Sequence, residues 1–268
     1  MSGFLFGSGH GSSPGMALLS AALLAFVSPA LAADPAGEAA GVTANATASG
    51  EIGDRILQAR GRIFSGDVIE TDQTGVAQLE FLDETRMVVG PGSRLTIDDF
   101  VFQSNNTAQR LTVNAARGAF RFITGVSDKG AYTIRTPVAT IGVRGTEGDI
   151  TVHEDGSISA SIYDNGAFRI CSLEKPRRCA VLEGSCSVIV LNKDFEFDWL
   201  QNIYERTGYM EENFPFAFGE RRLQSPFQVS SGSCEFRAGP RKDPNSGGDF
   251  EPVVEEKDDD CECGECCE

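Results

Sequence analysis

The chain has 268 residues, of which 41% are hydrophobic, so it is long enough to bury a substantial core. Its 39 acidic residues outnumber its 23 Lys and Arg, and no basic stripe is interleaved with aromatic residues, which argues against a nucleic-acid-binding protein. Asp249–Glu268 holds ten acidic residues and one Lys, so this tail supplies nine of the sixteen net negative charges.

Residues 1–32 have the character of a secretory signal. Met16–Ala32 is a continuous apolar run that ends in Ala30-Leu31-Ala32, the small-residue pattern of a cleavage site. No Lys or Arg precedes the run, so either the signal is atypical or the true start codon differs; a buried N-terminal helix or an uncleaved anchor is the alternative. Because this run is short and no later window is as apolar, the sequence predicts an exported protein with no membrane span after signal removal.

The remaining chain divides by composition. Residues 33–50 are rich in Ala, Gly and Thr, which predicts a flexible linker, and residues 51–191 have the pattern of a β domain. Residues 192–238 are aromatic and broken by Pro, with one helix expected in Phe195–Gly208, and should pack on the β domain as a cap because they are too few for a core of their own. Residues 239–268 are dominated by Pro, Gly, Lys, Asp and Glu, which predicts a disordered acidic tail.

The β domain is predicted from strict alternation of apolar and polar residues. Ala77, Leu79 and Phe81 share one face of a strand, and strands recur at intervals of about ten residues between turn residues. Asp155-Gly156 and Asn165-Gly166 are hairpin signals. We therefore expect an all-β fold, a compact solenoid-like or sandwich-like domain rich in antiparallel pairs, with a small mixed C-terminal cap.

Glycine recurs at every third position in the stretch Tyr132–Val152, at Gly142, Gly145 and Gly148. Glycine at such positions permits tight corners or close backbone approach, so these residues either let the strands turn or line a groove for a ligand or peptide. Pro137 ends the first strand of the stretch because it lacks a backbone donor. The candidate groove or turn residues are Pro137, Gly142, Arg144, Gly145 and Thr146.

Four cysteines fall in the part of the chain that is expected to fold. In an exported protein they indicate two disulfides, with three possible pairings. The favoured pairs are Cys171–Cys179, which would close a hairpin, and Cys186–Cys234, which would attach the cap to the β domain. Free buried thiols or a structural zinc site are the alternative.

Four further cysteines, Cys261, Cys263, Cys266 and Cys267, lie among carboxylates in the tail. Such thiols could hold a soft metal such as zinc or Cu(I), although the spacing matches no zinc template. They could also form strained or intermolecular disulfides, or belong to a compositionally biased terminus. No other cofactor is expected.

The sequence offers little for catalysis. With His10 removed in the signal, His153 is the one imidazole that remains, and it is predicted to lie near a hairpin turn. A triad or a Cys–His pair would depend on that residue alone, and no phosphate-binding loop or dinucleotide fingerprint is present. We therefore predict that the protein is not an enzyme.

Several short motifs occur in order between Gly53 and Val190. They are Ser65–Thr71 (SGDVIET), Gly75–Thr85 (GVAQLEFLDET), Gly90–Ser93 (GPGS), Arg117–Arg121 (RGAFR), Ile134–Thr140 (IRTPVAT) and Arg144–Thr146 (RGT). In order and spacing this set resembles the FecR domain, the module of iron-dicitrate signalling regulators. The resemblance implies a β-rich, solenoid-like domain in the bacterial periplasm.

The resemblance also implies a function. The signalling regulators of this family carry a transmembrane helix before the module, whereas this chain begins with a signal-like run and resembles stand-alone exported members. We expect a periplasmic or secreted binding or scaffold module for a protein or an envelope glycan, with signalling as a further option. The alternative hypothesis is a metal- or redox-responsive protein that uses the tail cysteines.

Overall fold

The structure is a computed structural model that describes residues 34–103, 105–218, 222–229 and Cys234, together with Gly3, Gly7 and Gly9. Its internal contacts divide the chain into Met1–Ala33 and Asp34–Glu268, and the fold below belongs to the second unit. The apolar run of the predicted signal and the predicted tail at residues 239–268 lie outside the described residues. No helix in the described part is long and apolar enough to cross a bilayer.

Seventeen strands in the described residues form two sheets that share one strand. Sheet A contains, in spatial order, β4 (Arg62–Phe64), β1 (Pro35–Thr43), β6 (Val76–Phe81), β7 (Arg86–Val89), the second half of β9 (Ala108–Ile123), β12 (Glu147–Val152), β13 (Ile158–Ile162), β16 (Val188–Leu191) and β17 (Phe197–Trp199). Sheet B contains β3 (Arg55–Ile56), β2 (Ala46–Ser49), β5 (Val68–Thr71), β8 (Arg94–Phe102), the first half of β9, β10 (Tyr132–Arg135), β11 (Ala139–Arg144), β14 (Ala167–Ser172) and β15 (Cys179–Glu183). Neighbouring strands are antiparallel except β9 and β10, which run parallel. The predicted all-β class is confirmed, and the sheet system is large, mixed and not closed.

Strand β9 joins the two sheets. Its residues up to Arg117 pair with β8 and β10 in sheet B, and those from Gly118 onward pair with β7 and β12 in sheet A. The strand crosses at Gly118, which has a φ of +95°, and a Cβ at this position would overlap the side chain of Ser93. Glycine is required here because the backbone turns through a left-handed conformation against its neighbour.

The main core lies between the two sheets. Alternate residues of each strand point inward, so Leu79 and Phe122 of sheet A pack in the same cluster as Leu95, Ile134 and Ile141 of sheet B. This cluster is built mostly from aliphatic side chains that are less than 5% exposed. The period-two pattern of the sequence is therefore the pattern of a two-layer β structure.

The prediction of a flexible linker at residues 33–50 is wrong. Pro35–Thr43 and Ala46–Ser49 are strands β1 and β2, and β1 pairs with both β4 and β6. Their small residues are an advantage, because Ala36, Ala39 and Ala48 fit fully buried into the main core. Its composition suggested that the segment could not offset the conformational entropy lost on ordering. The neighbouring strands β3, β4, β5 and β6 supply its hydrogen bonds, and the core supplies the surface that it buries.

The outer face of sheet A is covered by the C-terminal residues. We call residues 200–218, 222–229 and Cys234 the C-terminal cover; they contain helix α1 (Ile203–Asn213) and a 3₁₀ turn at Ser225–Phe227. Two apolar clusters join the cover to sheet A, one around Met210 and Phe214 and the other around Phe227. The cover therefore buries polar positions of sheet A that would otherwise face water.

The helix lies further along the chain than the sequence suggested. Residues 197–199, inside the predicted helix, are strand β17, which pairs with β16. The helix begins after Asn202, whose side-chain oxygen accepts hydrogen bonds from the backbone N–H groups of Tyr204 and Glu205. Gly208 lies inside the helix and does not end it.

A buried ion pair lies under the cover. The side chain of Arg121 on β9 is 0% exposed and donates from Nε and Nη2 to the two carboxylate oxygens of Asp149 on β12, at 2.7 and 3.0 Å. The Tyr163 hydroxyl donates to the same carboxylate at 2.7 Å, and Arg121 Nη1 donates to the backbone oxygen of Phe227 in the cover at 3.4 Å. Burial and the charge of Asp149 raise the pKa of Tyr163 well above 10, which keeps its hydroxyl a donor.

Candidate binding face

The outer face of sheet B is not covered by any described part of the chain. Inward positions of its central strands, such as Ile134, Ile141 and Ile170, are fully buried, so the alternate residues point outward. Most of those outward residues are polar, and all of them are half-buried or exposed. We call this set the threonine–arginine face: Thr133, Arg135, Thr140, Gly142, Arg144 and Arg169.

Strand register brings these residues together from three strands. Gly142 on β11 lies opposite Thr133 on β10 and opposite Arg169 on β14. A Cβ at Gly142 would meet no atom within 4 Å, so the missing side chain leaves a shallow depression between Thr133 and Arg169. Arg144 lies two residues further along β11 and is exposed.

Hydroxyls and guanidinium groups around a shallow depression suit the binding of polar or anionic groups. Threonine hydroxyls both donate and accept hydrogen bonds, and a guanidinium presents a fork of donors that matches a carboxylate. Arg135 makes a 3.6 Å ion pair with Asp98, whereas Arg144 and Arg169 enter no ion pair among the described residues. Neither of these two guanidinium groups is therefore neutralised by a carboxylate of the described residues, and Arg169 Nη2 donates to Cys179 Sγ at 3.6 Å.

The structure separates the five candidate groove residues that the sequence suggested. Gly142 and Arg144 lie on the threonine–arginine face, while Pro137 is exposed in the turn before β11. Thr146 is fully buried, and its hydroxyl donates to the carboxylate of Asp164. Gly145 has a φ of +59° in the turn that carries the chain from sheet B to sheet A. Gly145 and Thr146 therefore form a corner of the fold.

The same corner explains a wrong turn prediction. Asn165-Gly166 was expected to close a hairpin, but it joins β13 in sheet A to β14 in sheet B, two strands that do not pair with each other. A Cβ at Gly166 would overlap the backbone of Gly145, so the two crossings pack directly on each other. Asp155-Gly156, in contrast, does connect the paired strands β12 and β13.

Two disulfides are present, Cys171–Cys179 and Cys186–Cys234, the pairs that the sequence analysis favoured. Cys171 and Cys179 lie directly opposite each other on β14 and β15, next to the threonine–arginine face. Cys186–Cys234 ties the C-terminal cover to the loop before β16. Disulfides of this kind persist in oxidising compartments.

The proposed metal ligands Cys261, Cys263, Cys266 and Cys267 lie outside the described residues. Within the described part, no group of three or more His, Cys, Asp or Glu residues is placed to hold a metal ion. Tail binding of a soft metal therefore stays a prediction. Metal titration of the full chain against a chain ending at Gly248 tests it, because equal stoichiometry would exclude the tail.

His153 lies in an open cleft of 490 Å³ between the β12–β13 turn and helix α1. Its Nε2 lies 3.0 Å from Ser159 Oγ and 3.4 Å from the Tyr209 hydroxyl. This serine–histidine pair does not present a nucleophile, because Ser159 is 0% exposed and no substrate can reach its oxygen. The arrangement has the character of a packed polar contact that supports the helix.

The burial of His153 predicts a pH-dependent stability. Burial lowers the pKa of His153 below 6.5, and the nearby Asp155 charge opposes this only in part. The unfolded chain binds the proton more readily, so this contribution to stability is complete above pH 6.5 and is lost as the pH falls towards the folded-state pKa. Urea unfolding between about pH 7 and pH 5 should show falling stability, with a shallower slope in His153→Gln. An NMR titration that gave a folded-state pKa at or above 6.5 would contradict this prediction.

Most of the threonine–arginine face was not singled out from the sequence. Thr133, Arg135, Thr140 and Arg169 were missed, although the alternation within β10, β11 and β14 places each on the polar side of its strand. What the sequence did not show is that β11 pairs with β14, whose residues lie more than 20 positions away. Register across non-consecutive strands creates the face.

Comparison with known proteins places this region in a family. Residues 67–168 match the family model described as "FecR protein", a range that runs from the turn before β5 into β14. Two crystal structures described as a "putative anti-sigma factor" from Parabacteroides distasonis ATCC 8503 align with 49% of this chain, at 19% and 18% identity and TM-scores of 0.39 and 0.38. The alignment spans 58% of each of those chains, and no curated protein matches the sequence. Residues 67–168 therefore match the FecR domain family, as the motifs in the sequence indicated.

Proposed function

We propose that this protein is an exported, non-enzymatic module that binds a protein or an envelope glycan through the threonine–arginine face of its FecR domain. It acts as a binding or scaffold component of the periplasm or cell envelope, with signalling as one use of that binding. The family match supports the class of module, and the face supplies a surface of suitable chemistry.

The observation that carries this proposal is the contrast between the two sheets. Both sheets have polar residues on their outer faces, but the C-terminal cover packs on sheet A and buries Arg121 and Asp149. On sheet B, Thr133, Thr140 and Arg169 stay in contact with solvent. A flat surface that has a side-chain-free depression, and on which Arg144 and Arg169 form no ion pair with a described residue, favours recognition of a partner over its chemical conversion.

Two further observations support the class and the location. The serine–histidine contact at Ser159 and His153 has a buried serine, so it lacks the accessible nucleophile that a hydrolase needs. The two disulfides support a location outside the cytoplasm, where the oxidised state persists. Export through residues 1–32 remains part of the proposal.

The substitution Gly142→Gln tests the binding face. Gln fits into open space at this position, so we expect stability to change by no more than about 0.5 kcal/mol. The added side chain fills the depression and should weaken partner binding by about tenfold or more. The measurement is retention of periplasmic proteins, identified by mass spectrometry, and of purified peptidoglycan sacculi on the immobilised protein.

Gly208→Gln is the matched control. Gly208 lies exposed on helix α1, on the opposite side of the fold, and a Cβ there also meets no atom within 4 Å. This variant should retain the same partner as the wild type. If wild type, Gly142→Gln and Gly208→Gln retained the same material equally, or none retained any, the proposed binding face would be wrong.

A further inference from the structure

The strands that form the threonine–arginine face, together with β15, are rich in positively charged residues. Residues 132–144 and 167–183, which hold β10, β11, β14, β15 and their turns, contain six Lys and Arg but only two acidic residues, Glu174 and Glu183. The chain as a whole has a net charge of −16. This part of sheet B therefore has a net positive charge, although the protein as a whole is acidic.

The positively charged residues are spread along β11, β14 and the turn that follows β14. Arg144 lies at one end of β11, opposite Ala167; Arg169 lies in the middle of β14; and Lys175 and Arg178 are exposed in the β14–β15 turn. Strand β14 (Ala167–Ser172) covers about 17 Å at about 3.3 Å per residue, and the turn with Lys175 and Arg178 continues from its end. We call Arg135, Arg144, Arg169, Lys175 and Arg178 the basic stripe.

The opposite charge is concentrated in one segment of the same chain. Asp249–Glu268 contains ten acidic residues and one Lys, so its net charge is opposite in sign to that of the stripe and larger in magnitude. No ion pair among the described residues engages Arg144, Arg169, Lys175 or Arg178. The stripe can therefore accept carboxylates without breaking existing ion pairs at these four residues.

The attachment point of the tail lies close to the stripe. Cys234 is tied to Cys186, which follows Glu183, the last residue of β15, by three positions. Glu183 lies opposite Ala167, which in turn lies opposite Arg144, so the tether leaves from the Arg144 end of the stripe. Asp249 is 15 residues beyond Cys234, enough to span about 50 Å when extended and therefore enough to reach the whole stripe.

We infer that the acidic tail, Asp249–Glu268, docks on the basic stripe of sheet B and competes there with the partner. This inference rests on the proposed function, because it assigns a regulation to the same face. A tethered segment has an effective concentration of about 1 mM, so a tail that binds in trans with a Kd of about 0.1 mM reduces partner affinity about tenfold. The contact is electrostatic and is released by salt.

The first experiment detects docking without any partner. Amide NMR spectra of the full chain and of a chain ending at Gly248 are compared, and a peptide of residues 249–268 with its cysteines replaced by serine is then added to the shorter chain. We expect removal of the tail to shift the signals of Thr133, Thr140 and Gly142, and the peptide to restore them. About 0.5 M salt should abolish both effects. Unchanged signals on this face, or shifts confined to helix α1, would overturn the inference.

Charge reversal provides the specificity control. Arg144→Glu combined with Arg169→Glu should remove the response to the peptide, whereas Lys193→Glu combined with Arg206→Glu, an equal charge change at positions away from sheet B, should preserve it. If the two double variants lost the response equally, the attraction would depend on net charge alone and the stripe would not be the docking site.

The partner assay separates this inference from the proposed function. The chain ending at Gly248 should retain the partner about tenfold more tightly than the full chain at low salt, and equally at high salt. Equal retention at low salt would overturn the inference while the proposed function stands. Retention of no partner by either chain, together with tail-dependent NMR shifts, would overturn the proposed function while docking of the tail stands.

Discussion

Replacing Arg121 with Ala is expected to lower the free energy of unfolding by about 3 to 5 kcal/mol. The carboxylate of Asp149 would remain buried with one donor, the Tyr163 hydroxyl, and no compensating charge. Asp149→Ala should cost a similar amount, because it removes the carboxylate that balances the charge of the buried guanidinium. Urea unfolding followed by the fluorescence of Trp199, the one Trp in the sequence, measures the change.

Milder variants at the same site distinguish a lost charge partner from a lost contact. Tyr163→Phe removes one hydrogen bond and should cost about 1 kcal/mol. Ser161, which lies opposite Asp149 and has a buried hydroxyl without a partner among the described residues, should tolerate Ala. The double variant Arg121→Met with Asp149→Leu should recover most of the loss, since apolar replacements of a buried pair are often neutral. A loss of under about 1 kcal/mol in Arg121→Ala would contradict the prediction.

Removing the Cys186–Cys234 disulfide by a double substitution with Ser should cost about 4 kcal/mol, whereas removing Cys171–Cys179 in the same way should cost about 2.5 kcal/mol. The difference follows from loop length, because the first pair is separated by 48 residues and the second by 8, and the longer loop restricts the unfolded chain more. Urea midpoints measured without reductant test the order.

Reductant supplies the control for the disulfide prediction. Under reducing conditions the wild type and both double variants should approach a common midpoint, since the cross-links are then absent from all three. A larger loss on removal of Cys171–Cys179 than of Cys186–Cys234 would show that local contacts at β14–β15 outweigh the effect of loop length. The C-terminal cover should then be held mainly by the apolar clusters around Met210 and Phe227.

The fold class could be predicted because its signals are local. Alternation such as that of Ala77, Leu79 and Phe81 needs only adjacent residues, and the Asp155-Gly156 turn needs only its own backbone preferences. Predictions based on composition were weaker. Pro35–Thr43 has no large side chains, yet it forms a strand because β4 and β6 supply its partners.

The polar residues show the limit of the sequence most clearly. Arg121 and Arg169 are both Arg on the polar side of a strand, and nothing near either residue in the chain distinguishes them. Arg121 is fully buried because Phe227, 106 residues later, lies over it, whereas Arg169 is left on an uncovered sheet. The candidate site could therefore be predicted only in part, through Gly142 and Arg144.

The sequence by itself determined that strands form, where many of them turn and which side of each strand faces the core, because these properties depend on neighbouring residues. The tertiary structure alone decided which outer face is covered and which residues of β10, β11 and β14 form one surface. Those properties depend on strand register and on the packing of residues 200–218 and 222–229, and such long-range contacts leave no local pattern in the chain.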